Sequence, residues 1–134
     1  MFKTGIVDVP YPELSRDGYP YFSQAQAKAV INKIMDVLTN EQDDRATGLI
    51  LNFAYYDESK EYAYLHANST TMSYTDNGEG TDGVGTYYSI TFDGLTDVFD
   101  SYNDAITCNQ CTLKLYFALP EGTSTVFPNV IEYK

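Results

Sequence analysis

The sequence predicts an α+β fold in which one long helix packs on an antiparallel β-sheet and a short second helix follows. Three observations favour this class. Residues 22–38 place apolar side chains at the spacing of one helix face. Several segments after residue 48 alternate apolar and polar residues, as strands do. The helical and strand segments show no regular βαβ alternation, which is typical of α+β rather than α/β domains.

The first 22 residues are predicted to form an extended N-terminal arm, and residues 23–134 a single α+β domain. Pro10 and Pro12 restrict the backbone, and turn-forming residues follow. The arm is expected to be dispensable for folding and to carry an interface, because its apolar side chains have no regular element to pack within. These side chains are Phe2, Ile6, Val7, Val9, Tyr11 and Leu14. An arm that lies on its own domain is the alternative.

The long helix is predicted over residues 22–38. Ser23 can cap its first free N–H groups, and Gln26, three residues on, can reach back to Ser23. Five apolar residues share one face of this helix: Ala27, Val30, Ile31, Ile34 and Leu38. A helix with one apolar stripe must bury it, and the strands that follow offer the surface.

Six strands are predicted after the helix, over residues 49–56, 61–67, 70–75, 86–92, 112–119 and 126–133. Pro128 cannot donate a ladder hydrogen bond, so the last strand is expected at a sheet edge. Residues 76–85 are predicted to be a long polar loop. Leu95, Val98 and Ile106 return to helical spacing and predict the short second helix.

The charge of the chain excludes two classes of partner. The formal net charge is −11, and residues 61–134 contain only two of the eight basic residues. Nucleic acids and anionic membrane surfaces would both be repelled. No apolar run reaches the length of a transmembrane helix, and the N-terminus lacks the apolar core of a signal peptide. We therefore expect the chain to be made in the cytoplasm.

The glycine-rich segment at residues 78–83 matches G-x-G-x-x-G, but a strand rather than a helix follows it. Dinucleotide binding requires that helix, so this interpretation is rejected. Asp76, Glu79 and Asp82 supply hard oxygen ligands of the kind that calcium prefers, although their spacing does not fit an EF-hand. We expect no cofactor, with calcium at these three carboxylates as the alternative.

Catalytic constellations are lacking in the sequence. Cys108 and Cys111 form a C-x-x-C pair, but a zinc site needs about four ligands and His66 is the only histidine. Two reduced thiols are expected, with a local disulfide as the alternative in an oxidising compartment. One histidine supports no catalytic triad, and the aspartates of residues 93–104 are expected on a solvated face. The sequence therefore predicts a protein that is not an enzyme.

Aromatic residues are unusually frequent: the chain has 13 tyrosines and 7 phenylalanines. This number exceeds what one small core requires, so some of them are expected to face a partner or a ligand. A platform for stacking carbohydrate is one possibility, built from Tyr62, Tyr64, Tyr87 and Tyr88.

Taken over the whole chain, four features point to one kind of protein. They are the proline-containing arm at residues 8–12, the acidic charge, the Tyr/Thr/Asn/Gly-rich segment at 69–92, and the lack of catalytic motifs. In general character the chain resembles small accessory proteins of tailed-phage virions, such as capsid decoration or fibre-base proteins. The resemblance implies a virion-associated structural protein that assembles with its own copies or with other virion proteins through its arm and tyrosine faces. A carbohydrate or small-ligand binding module is the alternative.

Overall fold

The computed structural model describes residues 4–16, 19–39, 48–53, 66–68, 72–99, 104–118 and 129–134. These residues form an α+β fold with one α-helix. The elements are β1 (Thr4–Val9), β2 (Leu14–Arg16), β3 (Tyr19–Tyr21), α1 (Gln24–Thr39), β4 (Gly48–Phe53), β5 (His66–Asn68), β6 (Ser73–Thr81), β7 (Thr86–Asp93), β8 (Val98–Phe99), β9 (Gln110–Ala118) and β10 (Asn129–Tyr133). The predicted α+β class is confirmed.

The long helix α1 begins where the sequence predicts. The backbone N–H of Gln26 donates to Ser23 Oγ at 3.1 Å, so Ser23 is the cap. The Gln26 side chain does not complete a capping box, because it binds the preceding segment instead. The predicted apolar stripe is fully buried; its members are Ala27, Val30, Ile31, Ile34 and Leu38.

The first sheet has the strand order β1-β4-β5-β8 and contains a parallel pair. β1 pairs in parallel with β4 from Thr4 opposite Gly48 to Val9 opposite Phe53. Parallel neighbours need a crossover connection, and α1 lies in the chain between them. The sequence did not predict this unit, because the two prolines after β1 indicated an extended arm.

The second sheet is antiparallel, with the order β10-β9-β7-β6. Its inward side chains include Ile90, Phe92, Leu113 and Leu115, which join one core with α1 and the inward residues of the first sheet. α1 packs against β1 and against β6, β7 and β9. The predicted packing of a helix on an antiparallel sheet therefore describes only part of the core, since a second sheet also contributes.

The hairpin of β6 and β7 is longer than the sequence predicts. β6 continues to Thr81, so only residues 82–85 connect the two strands and the predicted loop at 76–85 is mostly strand. A β-bulge between Asp76 and Gly78 interrupts the pairing, and Gly78 has φ +72°. A bulge accommodates one extra residue in a strand, which is how this polar segment remains part of the sheet.

The prediction of a second helix is wrong. Within the described part of residues 95–106, Val98 and Phe99 form the short strand β8, which pairs antiparallel with β5. The N–H of Ile106 donates to the carbonyl of Val98 at 2.8 Å. Leu95 and Val98 are buried, as the helical pattern requires. An edge position beside β5 satisfies the same burial with strand geometry, so long-range pairing overrides the local pattern.

The N-terminal segment is part of the fold. Val7 and Val9 of β1 are fully buried in the core. β2 and β3 form a small antiparallel hairpin, and the N–H of Phe22 donates to the carbonyl of Tyr116 at 3.2 Å. Residues 4–9 therefore belong to the first sheet, and the hairpin leads the chain onto the end of β9.

Candidate functional site

The exposed apolar residues are the first candidate interaction feature. Among the described residues, the large hydrophobic side chains that are exposed are Ile6 (62%), Tyr11 (62%) and Leu14 (40%). We call these three residues the N-terminal apolar set. All of them were predicted as interface residues. Ile6 faces outward because side chains alternate along β1, where Val7 and Val9 point into the core.

The N-terminal apolar set lies on a backbone that α1 holds in place. Gln26 Nε2 donates to the carbonyl of Tyr11 at 2.7 Å, and Gln26 Oε1 accepts the N–H of Glu13 at 3.1 Å. Pro12, between them, is buried. One helix side chain thus satisfies a backbone donor and a backbone acceptor of the segment that carries Tyr11.

The other predicted interface residues are placed differently. Val7 and Val9 pack in the core, so they are not available to a partner, and the prediction for these two is wrong. Period-two alternation explains the difference, because Val7 and Val9 share the face opposite to Ile6. Phe2 lies outside the described residues.

The predicted tyrosine platform is not assembled from Tyr87 and Tyr88. The two residues are adjacent on β7 and point to opposite faces of the sheet. Tyr88 packs on Phe117 with ring centroids 4.6 Å apart, while Tyr87 contacts Tyr116 at 5.5 Å. Tyr62 and Tyr64 lie outside the described residues. The prediction that Tyr87 and Tyr88 form one stacking surface is therefore corrected, because the two rings lie on opposite faces of the sheet.

The side chain of each of these two tyrosines contacts other groups of the fold. The Tyr88 hydroxyl accepts from Gln24 Nε2 at 3.0 Å, and Lys28 Nζ lies 5.4 Å from its ring centroid. Tyr87 lies across Gly80, where an added Cβ would come within 2.8 Å of the Tyr87 hydroxyl. An aromatic ring over a cross-strand glycine covers backbone that would otherwise be bare. Both rings therefore have structural contacts.

The three carboxylates predicted as calcium ligands have separate partners. Asp76 Oδ1 accepts the N–H of Gly78 at 3.0 Å, and its Oδ2 lies 3.9 Å from Lys28 Nζ. Asp82 belongs to a different cluster, and Glu79 is exposed on β6. Across the described ranges, no group of three or more His, Cys, Asp or Glu side chains is placed to hold a metal ion. The predicted ligand set is therefore not brought together.

Asp82 is the centre of a polar cluster that the sequence did not predict. Its Oδ2 accepts from the Tyr116 hydroxyl at 2.7 Å and from Lys114 Nζ at 3.3 Å. Its Oδ1 accepts the N–H groups of Val84 at 2.8 Å and Gly85 at 3.2 Å. The carboxylate therefore accepts hydrogen bonds from the backbone of the β6–β7 turn and also connects that turn to β9.

Lys114 links Asp82 to the edge strand β10. Its Nζ lies 3.3 Å from Glu132 Oε1 and 4.8 Å from the centroid of the Tyr87 ring. The Lys114 side chain is only 16% exposed. A lysine this poorly solvated needs compensating contacts, and two carboxylates and an aromatic face supply them.

The pKa values in this cluster follow from these contacts. Partial burial alone would raise the pKa of Asp82, but hydrogen bonds from Tyr116, Val84, Gly85 and Lys114 outweigh it and lower that pKa to about 2. Burial and the hydrogen bond to Asp82 raise the pKa of Tyr116. Burial would lower the pKa of Lys114, but the carboxylates of Glu132 and Asp82 raise it. Asp82 and Lys114 therefore stay charged and the Tyr116 hydroxyl stays protonated around neutral pH. A set of fixed charges suits a structural tie better than proton transfer.

Chain separation explains why this cluster was missed. Asp82 lies 32 residues from Lys114 and 34 residues from Tyr116. A usable signal was the alternation of β9, which places Lys114 and Tyr116 on one face, opposite the apolar residues of that strand. Nothing local in the sequence indicates that the β6–β7 turn reaches that face.

The two cysteines are free thiols. Burial raises the pKa of both, and that of Cys111 reaches about 12 with further contributions from Cys108 and Asp93. A raised pKa disfavours the thiolate, which is the reactive form. A cavity of about 350 Å³ beside Cys108 is lined by Thr107, Asn109 and Lys134. These surroundings do not activate either thiol.

Comparison with protein-family models, curated proteins and solved structures found no significant match for this chain. The described residues contain no helix that combines the length and apolar character needed to cross a membrane.

Proposed function

We propose that this protein is a structural interaction protein without enzymatic activity, and that it is a component of a tailed-phage virion. It assembles with its own copies or with other virion proteins. The observation that carries the proposal is the exposure of the N-terminal apolar set, in which Ile6 and Tyr11 are each 62% exposed and Leu14 is 40% exposed. Large apolar side chains at the surface are the groups that protein interfaces bury.

The ordered backbone beneath these residues supports the same interpretation. β1 is paired along its whole length with β4, and Gln26 holds the segment around Tyr11. An interface loses affinity when it must first order a flexible segment, and here that cost is small. The N-terminal apolar set is therefore suited to contact a partner without rearrangement.

The charge of the chain sets how such an assembly responds to salt. Copies with a net charge of −11 repel one another. Salt screens that repulsion and leaves apolar burial intact, so association between copies should strengthen as the salt concentration rises. Association that weakens in salt would instead indicate a basic partner surface.

The decisive variant replaces the N-terminal apolar set with serine: Ile6→Ser, Tyr11→Ser and Leu14→Ser together. We expect it to lose association, measured by sedimentation velocity at low and high salt, while its melting temperature stays close to that of the wild type. Ala25→Ser with Ala29→Ser, on the exposed face of α1, is the matched control and should associate normally.

The virion role is tested on particles. We expect mass spectrometry of purified virions to detect the protein when the phage genome carries this gene. A protein found only in the lysate, or a serine variant that is incorporated as well as the wild type, would contradict the proposal.

A further inference from the structure

We propose that the outer edge of β6 accepts an added β-strand from a partner protein, and that the added segment is extended and carries lysine or arginine side chains. This surface differs from the N-terminal apolar set. The inference therefore goes beyond the proposed function, and either can fail without the other.

β6 lies at the end of the second sheet, in the order β10-β9-β7-β6. It is nine residues long, and within the described ranges it pairs only with β7. An edge strand presents a row of backbone donors and acceptors that another extended chain can use. The regular part of β6 is therefore a candidate for recognition by strand addition.

The hairpin turn determines which residues of β6 face outward. The N–H of Asp82 donates to the carbonyl of Gly85 at 3.0 Å, so Asp82 directs its backbone groups toward β7. The register is continuous back to Gly78. Backbone direction alternates along an antiparallel strand, so Gly80 also faces β7, while Glu79 and Thr81 direct their N–H and C=O groups to the free edge.

This free edge is accessible. Glu79 and Thr81 are exposed. Their neighbour Gly80 has no side chain, and the Tyr87 ring that covers it sits on the sheet face rather than at the edge. The bulge between Asp76 and Gly78 ends the regular stretch on the other side. The segment from Gly78 to Thr81 is therefore the part of β6 that an incoming strand would pair with.

Charge complementarity identifies the class of partner. The segment from Gly78 to Thr81 carries Glu79, and the chain as a whole has a net charge of −11. A second copy that added its own β6 would place like charges across from each other, which disfavours that pairing. A segment with lysine or arginine beside Glu79 would instead be attracted, so the acidic edge selects a basic strand and excludes a copy of itself.

The probe is a synthetic peptide of alternating lysine and threonine, with a glutamate–threonine peptide of equal length as its control. We expect the basic peptide to bind at least tenfold more tightly, with the largest NMR shift changes at the Glu79 and Thr81 amides. Those two amides should also gain protection from hydrogen exchange. Equal binding of the two peptides, or no binding, would overturn the proposal.

A matched pair of variants separates strand addition from charge attraction alone. Thr81→Pro removes an outward N–H, whereas Thr81→Val keeps it and loses only the side-chain hydroxyl contact to Thr86. We expect Thr81→Pro to weaken basic-peptide binding about tenfold and Thr81→Val to leave it unchanged. If Thr81→Pro binds like the wild type, the contact is electrostatic only and the proposal fails. If Thr81→Pro does not fold, exchange protection in the wild type decides: unprotected Glu79 and Thr81 amides would overturn strand addition.

Discussion

At the residue scale, Asp82 shows how one side chain connects a turn to a distant strand. Its two carboxylate oxygens accept four hydrogen bonds, two from the backbone of its own turn and two from the side chains of β9. Hydrogen bonds to a charged group are stronger than those between neutral groups. The turn of the β6–β7 hairpin is therefore fixed by ionic contacts as well as by backbone pairing.

The lowered pKa of Asp82 predicts how the stability of the fold changes at acid pH. Its pKa is about 2 in the folded protein against an ordinary value of 3.8, so the folded state favours the ionised form. The stability that this provides is complete above pH 3.8 and is lost as the pH falls toward 2. We expect Asp82→Asn to melt below the wild type at pH 6, and the difference to shrink as the pH approaches 2.

Thermal melts between pH 6 and pH 2 measure this difference. Asp97→Asn, at an exposed carboxylate, is the control and should track the wild type throughout. A gap between Asp82→Asn and the wild type that stays constant with pH would show that the carboxylate charge is not what stabilises the turn.

At the scale of elements, the β6–β7 hairpin shows how a polar, glycine-rich segment forms a strand. Asn77 Nδ2 donates to Thr91 Oγ1 at 2.8 Å, and Thr91 Oγ1 lies 2.9 Å from Thr112 Oγ1. The Tyr87 ring covers Gly80. Cross-strand contacts of this kind are what stabilise a sheet, so a segment with poor strand propensity can still pair.

The contact between Tyr87 and Gly80 predicts different outcomes for two glycines of the same hairpin. We expect Gly80→Ala to lower the free energy of unfolding by about 1–3 kcal/mol, because the new methyl group would push the Tyr87 ring away from its contacts with Tyr116 and Lys114. Gly83→Ala, whose Cβ would meet no atom within 4 Å, is the control. It should change stability by less than about 0.5 kcal/mol.

Urea unfolding measures both variants. Equal stability for Gly80→Ala and Gly83→Ala would mean that the Tyr87 ring moves aside without cost, and that its cover of Gly80 does not stabilise the hairpin.

At the scale of the whole molecule, the N-terminal strand decides how the core is closed. β1 brings Val7 and Val9 into the same core as α1 and both sheets. Complete burial of two valines contributes about 3–6 kcal/mol. A domain of this size has a net stability of only about 5–15 kcal/mol, so the loss of that burial is large compared with the margin that keeps the chain folded.

Deletion of residues 1–9 is therefore expected to abolish cooperative unfolding, measured by circular dichroism during a thermal melt. The sequence predicts the opposite, a folded domain without the arm, because it treats these residues as lying outside the core. Ile6→Thr, at an exposed position on the same strand, is the control and should retain the wild-type melt. A truncated protein with an unchanged melting temperature would instead support the prediction that the N-terminal arm is dispensable for folding.

The local pattern of apolar and polar residues was sufficient to predict several features of the fold. It placed the capped helix and its buried stripe, and it placed strands over residues 49–56 and 112–119. The structure buries Leu49, Leu51, Leu113 and Leu115 within those two ranges. The sequence indicated Ile6, Tyr11 and Leu14 as interface residues, but it indicated Val7 and Val9 with them and so did not separate exposed side chains from buried ones. Periodicity records which side chains are buried, and the α+β class follows from the order of the periods.

Contacts between segments that are distant in the chain determine which surface buries each residue. β1 became a sheet strand because β4 lies beside it, and Val98 and Phe99 formed a strand because β5 does. The Asp82 cluster joins positions more than 30 residues apart. The opposite orientation of Tyr87 and Tyr88, by contrast, follows from strand alternation, which is already present in the sequence. Pairing between distant segments depends on the free energy of the whole core, which no local window of the sequence contains.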